Sequence, residues 1–188
     1  VTELAPGVDE FTIQSGFNSL QIRATEGEEL RFFGTGWARD PNTGKPLINP
    51  TTGLRQAGDD QALGEVFPDW KMGISNTIEV QNFSLSFLVD WKQGGSIFSQ
   101  TVLDLRSAGL AAETAKNRGG TFIDDGVIVE ERDAGEIVET RPNDVPVQSM
   151  EAFWGQHSDQ GIIEAGLFDA TYVKLRDVSL TYNAPQSW

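Results

Sequence analysis

Between Trp70 and Lys92 large apolar residues recur at every second position. Trp70, Met72, Ile74, Ile78 and Val80 share one parity, while Gly73, Ser75, Thr77, Glu79 and Gln81 share the other. From Phe83 the apolar set continues as Phe83, Leu85, Phe87, Val89 and Trp91, with Ser84, Ser86, Leu88, Asp90 and Lys92 between. Strict alternation predicts strands whose two faces meet different surroundings. A two-residue turn at Gln81-Asn82 sets Val80 opposite Phe83, Ile78 opposite Leu85, Ile74 opposite Val89 and Met72 opposite Trp91. Both apolar rows then lie on one side of a hairpin. Asn suits such a turn because it tolerates left-handed backbone. Asn76 falls on the apolar side and Leu88 on the polar side. A soluble core backed by water fits this pattern, and so does lipid backed by a wet lumen.

Short strands are predicted at 10–14, 19–24 and 30–37, and the segment 39–53, rich in Pro, Asn and Gly, reads as a loop. Residues 101–108 carry a helical pattern stopped by Gly109, and 149–154 could form one helical turn capped by Ser149. Between these helices a single strand is expected at 127–130. So long a connection counts against a compact soluble domain unless the loop has a function. In "TYVKLRDVSLTY", 171–182, apolar parity slips from Val173 and Leu175 to Val178, Leu180 and Tyr182. A β-bulge near Arg176-Asp177 or a change of surroundings along the strand accounts for the slip.

The chain has 188 residues and a net charge of −14. That charge disfavours nucleic acid and anionic lipid headgroups as partners. Cysteine is absent, which excludes disulfides, thiolate metal sites and cysteine catalysis. No run approaches the ~18 apolar residues of a membrane helix. The start at Val1 shows no signal segment, and the end falls at the turn signal Asn183-Ala184-Pro185, so a fragment of a longer protein is expected.

Catalytic chemistry finds little footing. The doublets Asp59-Asp60, Asp124-Asp125 and Glu130-Glu131 point to opposite faces on a strand, so they are not ready-made acid–base pairs. His157, the one histidine, reads as a loop residue; its neighbours Ser158 and Asp159 are contiguous, which does not supply triad geometry. No metal-ligand cluster or cofactor motif is present, and Lys45 and Pro46 interrupt the oxygen spacing of a calcium loop. The expectation is therefore a non-enzyme without cofactor. Trp37, Trp70, Trp91, Phe153, Trp154 and Phe168 lie in or beside the loops, where aromatics stack on sugars, anchor partners or form a membrane-interface girdle.

"EVFPDWKMGISNTIEVQNFSLSFLVDWKQGGSIFSQT" resembles a late barrel hairpin of SusC/RagA-type TonB-dependent outer-membrane transporters, through Pro68-Asp69-Trp70, Gly73, Asn76-Thr77, Asp90 and Gly94-Gly95. "RSAGLAAET" with Arg118 is similar to the helix-bearing loop that follows. "DATYVKLRDVSLTYNAP" resembles a later strand of that family almost position for position, and "EGEELRFFGTGWARDPNTGKPL" is a looser match. The chain departs from the pattern in lacking Gly after Glu28-Glu29, in Lys92 for the usual Arg, and in having no plug domain, TonB box or closing strands. A barrel of about 22 strands with ~10 residues each needs more residues than this chain has.

The resemblance implies an all-β fold: antiparallel strands of a partial transmembrane-type β-barrel over residues 1–188. Strands are expected near 10–37, 70–92 and 171–182, with two long extracellular loops, about 35–68 and 94–170, carrying short helices. It implies part of an importer of glycan or peptide in the cell outer membrane, with loops at the cell surface. The implied partners are a SusD-like surface lipoprotein, TonB, substrate and membrane lipid, and no nucleic acid. Met72, Ile74, Ile78, Val80, Phe83, Leu85, Phe87, Val89 and Trp91 would then face lipid, and Trp37, Phe153 and Trp154 would contact ligand or partner. The rival expectation is a soluble β-sandwich module that binds carbohydrate or protein.

Overall fold

The computed structural model describes residues 2–16 and 18–185. Its strands are β1 (Glu10–Ser15), β2 (Gln21–Thr25), β3 (Arg31–Trp37), β4 (Ala57–Glu65), β5 (Trp70–Val80), β6 (Phe83–Gln93), β7 (Ser96–Phe98), β8 (Val127–Asp133), β9 (Glu136–Pro142), β10 (Leu167–Asp169) and β11 (Tyr172–Tyr182). The helices are α1 (Gln100–Ser107) and α2 (Met150–Asp159), with 3-10 turns at Ala112–Ala115 and Glu164–Gly166. The sheets are β1-β2-β3-β4, β11-β6-β5, β8-β9 and β10-β7, with no closed barrel among them. Among the described residues no helix is long and apolar enough to cross a membrane, which says nothing of crossing by strands. The chain divides into two compact units, residues 1–64 with 98–167 and residues 65–97 with 168–188.

The second unit is the antiparallel sheet β11-β6-β5. Its hairpin register is the one the alternation predicts, from Val80 opposite Phe83 to Met72 opposite Trp91. Gln81, at φ +53°, is the left-handed residue of the turn; the expectation favoured Asn82. Asn82 instead donates its side-chain amide to the Asn183 carbonyl at 2.7 Å. In β11 the ladder slips between Leu175 and Asp177, so Arg176 is the extra residue of a bulge. The bulge resolves the parity slip. Val173, Leu175, Val178, Leu180 and Tyr182 stand opposite Trp91, Val89, Phe87, Leu85 and Phe83. The cross-strand rows are therefore Met72–Trp91–Val173, Ile74–Val89–Leu175, Asn76–Phe87–Val178, Ile78–Leu85–Leu180 and Val80–Phe83–Tyr182. One face is apolar but for Gln93, opposite Trp70 at one end, and Asn76, which nothing in the structure explains. The other carries Ser75, Thr77, Ser84, Ser86, Lys174 and Ser179, with Leu88 as its apolar exception. On that polar side the Arg176 side chain bonds Asp90 through Nε at 3.0 Å and Nη2 at 2.7 Å.

Two blocks of the resemblance meet at one end of this unit. Gly94 and Gly95 take φ of +74° and +75°, and a Cβ on Gly95 would lie 3.0 Å from backbone atoms of Phe67 and Pro68. Only glycine suits that backbone and that approach.

Among the described residues, all the buried apolar side chains belong to the other unit, with Leu47, Ile48, Leu103, Val147, Ile162 and Ile163 the most enclosed. Ile163 ties the end of α2 to the first sheet, its N–H donating to the Thr35 carbonyl at 3.0 Å. Segment 39–53 is a loop as expected, shaped by Asx turns: Asp40 Oδ1 accepts from Asn42 N–H at 3.1 Å, and Asn49 Oδ1 from Thr51 N–H at 2.8 Å.

Three expectations need correction in this unit. The loop 35–68 contains β4, whose sequence AGDDQALGE lacks apolar alternation. It is held by its place beside β3 and by an ion pair from Asp60 to Arg23 at 2.6 Å, which sequence pattern does not encode. The single strand at 127–130 is the first arm of the hairpin β8–β9, reversed at Ala134 (φ +49°) and Gly135 (φ +94°). The helical turn at 149–154 continues past Gly155 to Asp159, because its distal half packs on α1. His157 is accordingly a helix residue, 4% exposed, and not a loop one.

Deleting Arg176 removes the extra residue and leaves Val173, Leu175, Val178, Leu180 and Tyr182 in strict alternation, so it is expected to keep the register and to destabilise the sheet little more than Arg176→Ala, since both lose the Asp90 bond. Denaturant midpoints of the two variants check this, and a much lower midpoint for the deletion would show that the bulge itself holds the sheet together.

Candidate functional site

The first unit contains a cleft of about 340 Å³. Its wall combines Trp37 at the end of β3, Arg39 just beyond it, Arg55, Arg106 of α1, Phe153, Trp154, Gln156 and His157 of α2, and Glu164 and Ala165 of the 3-10 turn. Two side-chain caps set the helices. Ser99 Oγ accepts from Val102 N–H, and Ser149 Oγ accepts from Ala152 N–H at 3.1 Å. Leu103 of α1 is buried, and its carbonyl lies 2.8 Å from His157 Nε2.

The three sequence-nominated contact residues, Trp37, Phe153 and Trp154, all line this one cleft, though they are distant in sequence. Trp37 ends a strand and is 7% exposed, with the Arg55 guanidinium 5.8 Å from its ring centroid. Phe153 stands edge-on to Phe122 at 4.9 Å and to Trp154 at 5.2 Å. Of the other aromatics noted, Trp70 and Trp91 form an edge-on pair at 5.0 Å in β5 and β6, and Phe168 lies in β10.

The arginines are the residues that sequence reasoning missed. Arg55 grips Asp124 in two-pronged fashion, Nε to Oδ2 at 2.6 Å and Nη2 to Oδ1 at 3.0 Å, which raises the pKa of the guanidinium. Arg106 Nε donates to Glu113 at 2.7 Å and holds that carboxyl below its ordinary value, while Nη1 donates to the Ala165 carbonyl at 2.6 Å. Arg39 pairs with Glu164, whose other oxygen accepts from the Trp37 backbone N–H at 2.7 Å. Each guanidinium thus has its own carboxylate, and the cluster is close to neutral inside a strongly acidic chain. No single spacing announces it, because the partners come from separate segments.

The acidic doublets also divide between partners. Asp124 takes Arg55 and Asp125 takes Lys45 at 2.6 Å, while Glu130 takes Arg141 at 3.1 Å. Among the described residues there is no group of three or more acidic or histidine side chains able to hold a metal ion.

Ser107 Oγ lies 2.9 Å from His157 Nε2, the separation of a nucleophile and its base. The same nitrogen faces the Leu103 carbonyl, which only accepts, so Nε2 carries the proton and cannot take one from serine. Ser107 Oγ in turn donates to that carbonyl at 3.1 Å. The arrangement braces α1 against α2.

The molecule is thus an antiparallel β protein with one bare apolar sheet face and a separate polar–aromatic cleft. Over 130 residues, 69% of this chain, it is 27% identical to TonB-dependent receptor P3 of Formosa agariphila. The chain spans about 11% of that receptor's length. No family model matches the chain.

Arg55→Met should cost about 2 kcal/mol, above the ~0.2–1 of exposed pairs and below the 3–5 of fully buried ones, because Asp124 is nearly enclosed and Arg55 is not. Urea unfolding measures it, and Asp124→Asn in the same chain should restore part of the loss. Asp40 generates a pH dependence. Hydrogen bonds from Thr43, Asn42 and Thr140 hold its carboxyl below the ordinary range. Its contribution is therefore complete above the unfolded value of about 3.9 and is lost as pH falls through the lower folded value. Asp40→Asn should flatten the acid limb of the stability profile and leave the neutral-to-alkaline limb unchanged in shape.

Proposed function

We propose that this chain is a section of barrel wall, with loops at the cell surface, of a TonB-dependent importer in the outer membrane. The observation that carries the reading is the face of β11-β6-β5. Its middle rows are aliphatic and aromatic but for Asn76, its polar side is opposite, and aromatic pairs mark both margins: Trp70 with Trp91 at 5.0 Å, Phe83 with Tyr182 at 4.8 Å. Ten residue rises from Trp70 to Val80 span about 33 Å, or about 25 Å at a tilt of ~40°, the height of the apolar band of outer-membrane barrels. The face is exposed, with Leu180 at 70%. A soluble sandwich would need a second sheet over it, and the unit supplies none.

The similarity to a TonB-dependent receptor supports the same reading. On the SusC/RagA resemblance, substrate is a glycan or peptide, a SusD-like lipoprotein covers the surface side, and TonB energises the whole protein. Lipid meets Met72, Ile74, Ile78, Val80, Phe83, Leu85, Phe87, Val89 and Trp91. The cleft of Trp37, Phe153 and Trp154 binds ligand and does not turn it over.

Protease protection tests the wall. In the intact protein the hairpin Trp70–Gln93 should resist cleavage in bilayer or micelle and lose that resistance when amphiphile is removed. Protection that persists in plain buffer would replace the wall with a soluble module. Within the bilayer, Phe87→Lys near mid-height should cost about 2–4 kcal/mol and Ser86→Lys on the opposite face far less, read from unfolding in lipid.

A further inference from the structure

Like charges that stand directly opposite each other across an antiparallel ladder repel and weaken it. Lys71 of β5 and Lys92 of β6 stand so, in a row that Tyr172 of β11 completes on the polar face of the sheet. The next row on that face is Gly73–Asp90–Lys174. Asp90 is therefore the cross-strand neighbour of Lys174, but its carboxylate is already taken. Arg176 bonds it twice, and the Tyr172 hydroxyl donates to it at 3.0 Å. The Lys174 ammonium lies instead over the Tyr172 ring, 4.1 Å from its centroid, and so beside the row of the other two lysines.

Three ammonium groups are thereby gathered at one end of the face without a carboxylate of their own. Among the described residues, none of Lys71, Lys92 and Lys174 makes an ion pair. Asp169 lies within the influence of the Lys92 charge, but it bonds the Thr171 N–H at 2.8 Å. In a chain with 28 acidic against 14 basic side chains, partners are abundant, and eight of the 14 have one. A cluster left out of that pairing is open to an anion from outside.

We propose that Lys71, Lys92 and Lys174 form a binding site for a small oxyanion of two or more negative charges, with phosphate its simplest member. An ammonium only donates, so its partner has to accept. A neutral hydroxyl or carbonyl accepts but leaves the repulsion between Lys71 and Lys92 in place, and a single negative charge offsets only one of them. Neighbouring strands lie about 4.8 Å apart, so the three side chains start within about 10 Å of one another. Their flexible stems can close on a tetrahedral anion. Gly73, next to Lys71 on the same face, leaves room for it: nothing lies within 4 Å of where a Cβ would be. The net charge of −14 repels long polyanions, but charges beyond ~8 Å are screened at physiological salt, so a small anion responds to the lysines beside it. The site goes beyond the importer reading, since it is built from the polar face and holds whether lipid or protein covers the other.

Calorimetry on the intact protein tests it, with inorganic phosphate as the probe at pH 8 and chloride at matched ionic strength as the control. Phosphate should bind saturably and chloride should not. Lys71→Gln and Lys92→Gln should each weaken binding about fivefold, the upper range for an exposed ion pair, and the double variant should abolish it. Lys116→Gln, in the other unit, should leave it unchanged. Without phosphate, Lys71→Gln should melt no lower than the parent, because it removes one of two opposed charges. Heats no different from those of chloride overturn the proposal, and so do equal affinities of the parent and the double variant. An equal loss in Lys116→Gln overturns it too, because the effect would then be one of net charge. A lower melting temperature for Lys71→Gln does the same, by giving that ammonium a partner within the protein.

Discussion

A three-stranded sheet whose one face is almost wholly apolar is stabilised by a cover other than water. Fully burying a Val, Leu, Ile or Phe side chain gains about 1.5–3 kcal/mol. Even half that gain, summed over the rows from Met72–Trp91–Val173 to Val80–Phe83–Tyr182, is as large as or larger than the ~5–15 kcal/mol that stabilises a typical domain. The sheet has no buried apolar residue of its own. The bulge at Arg176 serves this face. If the extra residue were paired regularly and not bulged out, one half of β11 would turn its apolar side toward Ser86 and Asp90.

The first unit follows a different rule. Its core is small and irregular, and much of its chain is loop, so backbone groups are paired by Asx turns, isolated bridges and ion pairs. Asp124 is the clearest example: nearly enclosed, it is tolerable because Arg55 answers it with two hydrogen bonds. The helices α1 and α2 meet through the shared proton of His157, and the cleft forms where that pair approaches the end of β3.

The two rules suit the two tasks proposed for the protein. A sheet face without functional groups is fit for lipid, where an unpaired polar atom is costly. A cleft whose charges are compensated is fit for an uncharged ligand. The chain's net charge of −14 fits uncharged ligands better than polyanions.

How much of this was legible in the chain divides along the same line. The hairpin β5–β6, its pairing and the slip at Arg176-Asp177 are local, because side chains alternate with a period of two and one inserted residue reverses them. Trp37, Phe153 and Trp154 were visible as aromatics near loops, but their meeting in one cleft was not. Strand β4 left no apolar trace, since backbone pairing holds it. The length of α2 and the burial of His157 depended on α1, and the arginines found their carboxylates across long stretches of chain. The sequence by itself determined which face of each regular strand is apolar, since that follows from neighbours two apart. Only the tertiary structure decided the cleft and the strands without pattern, because their energies come from partners that the sequence holds far apart.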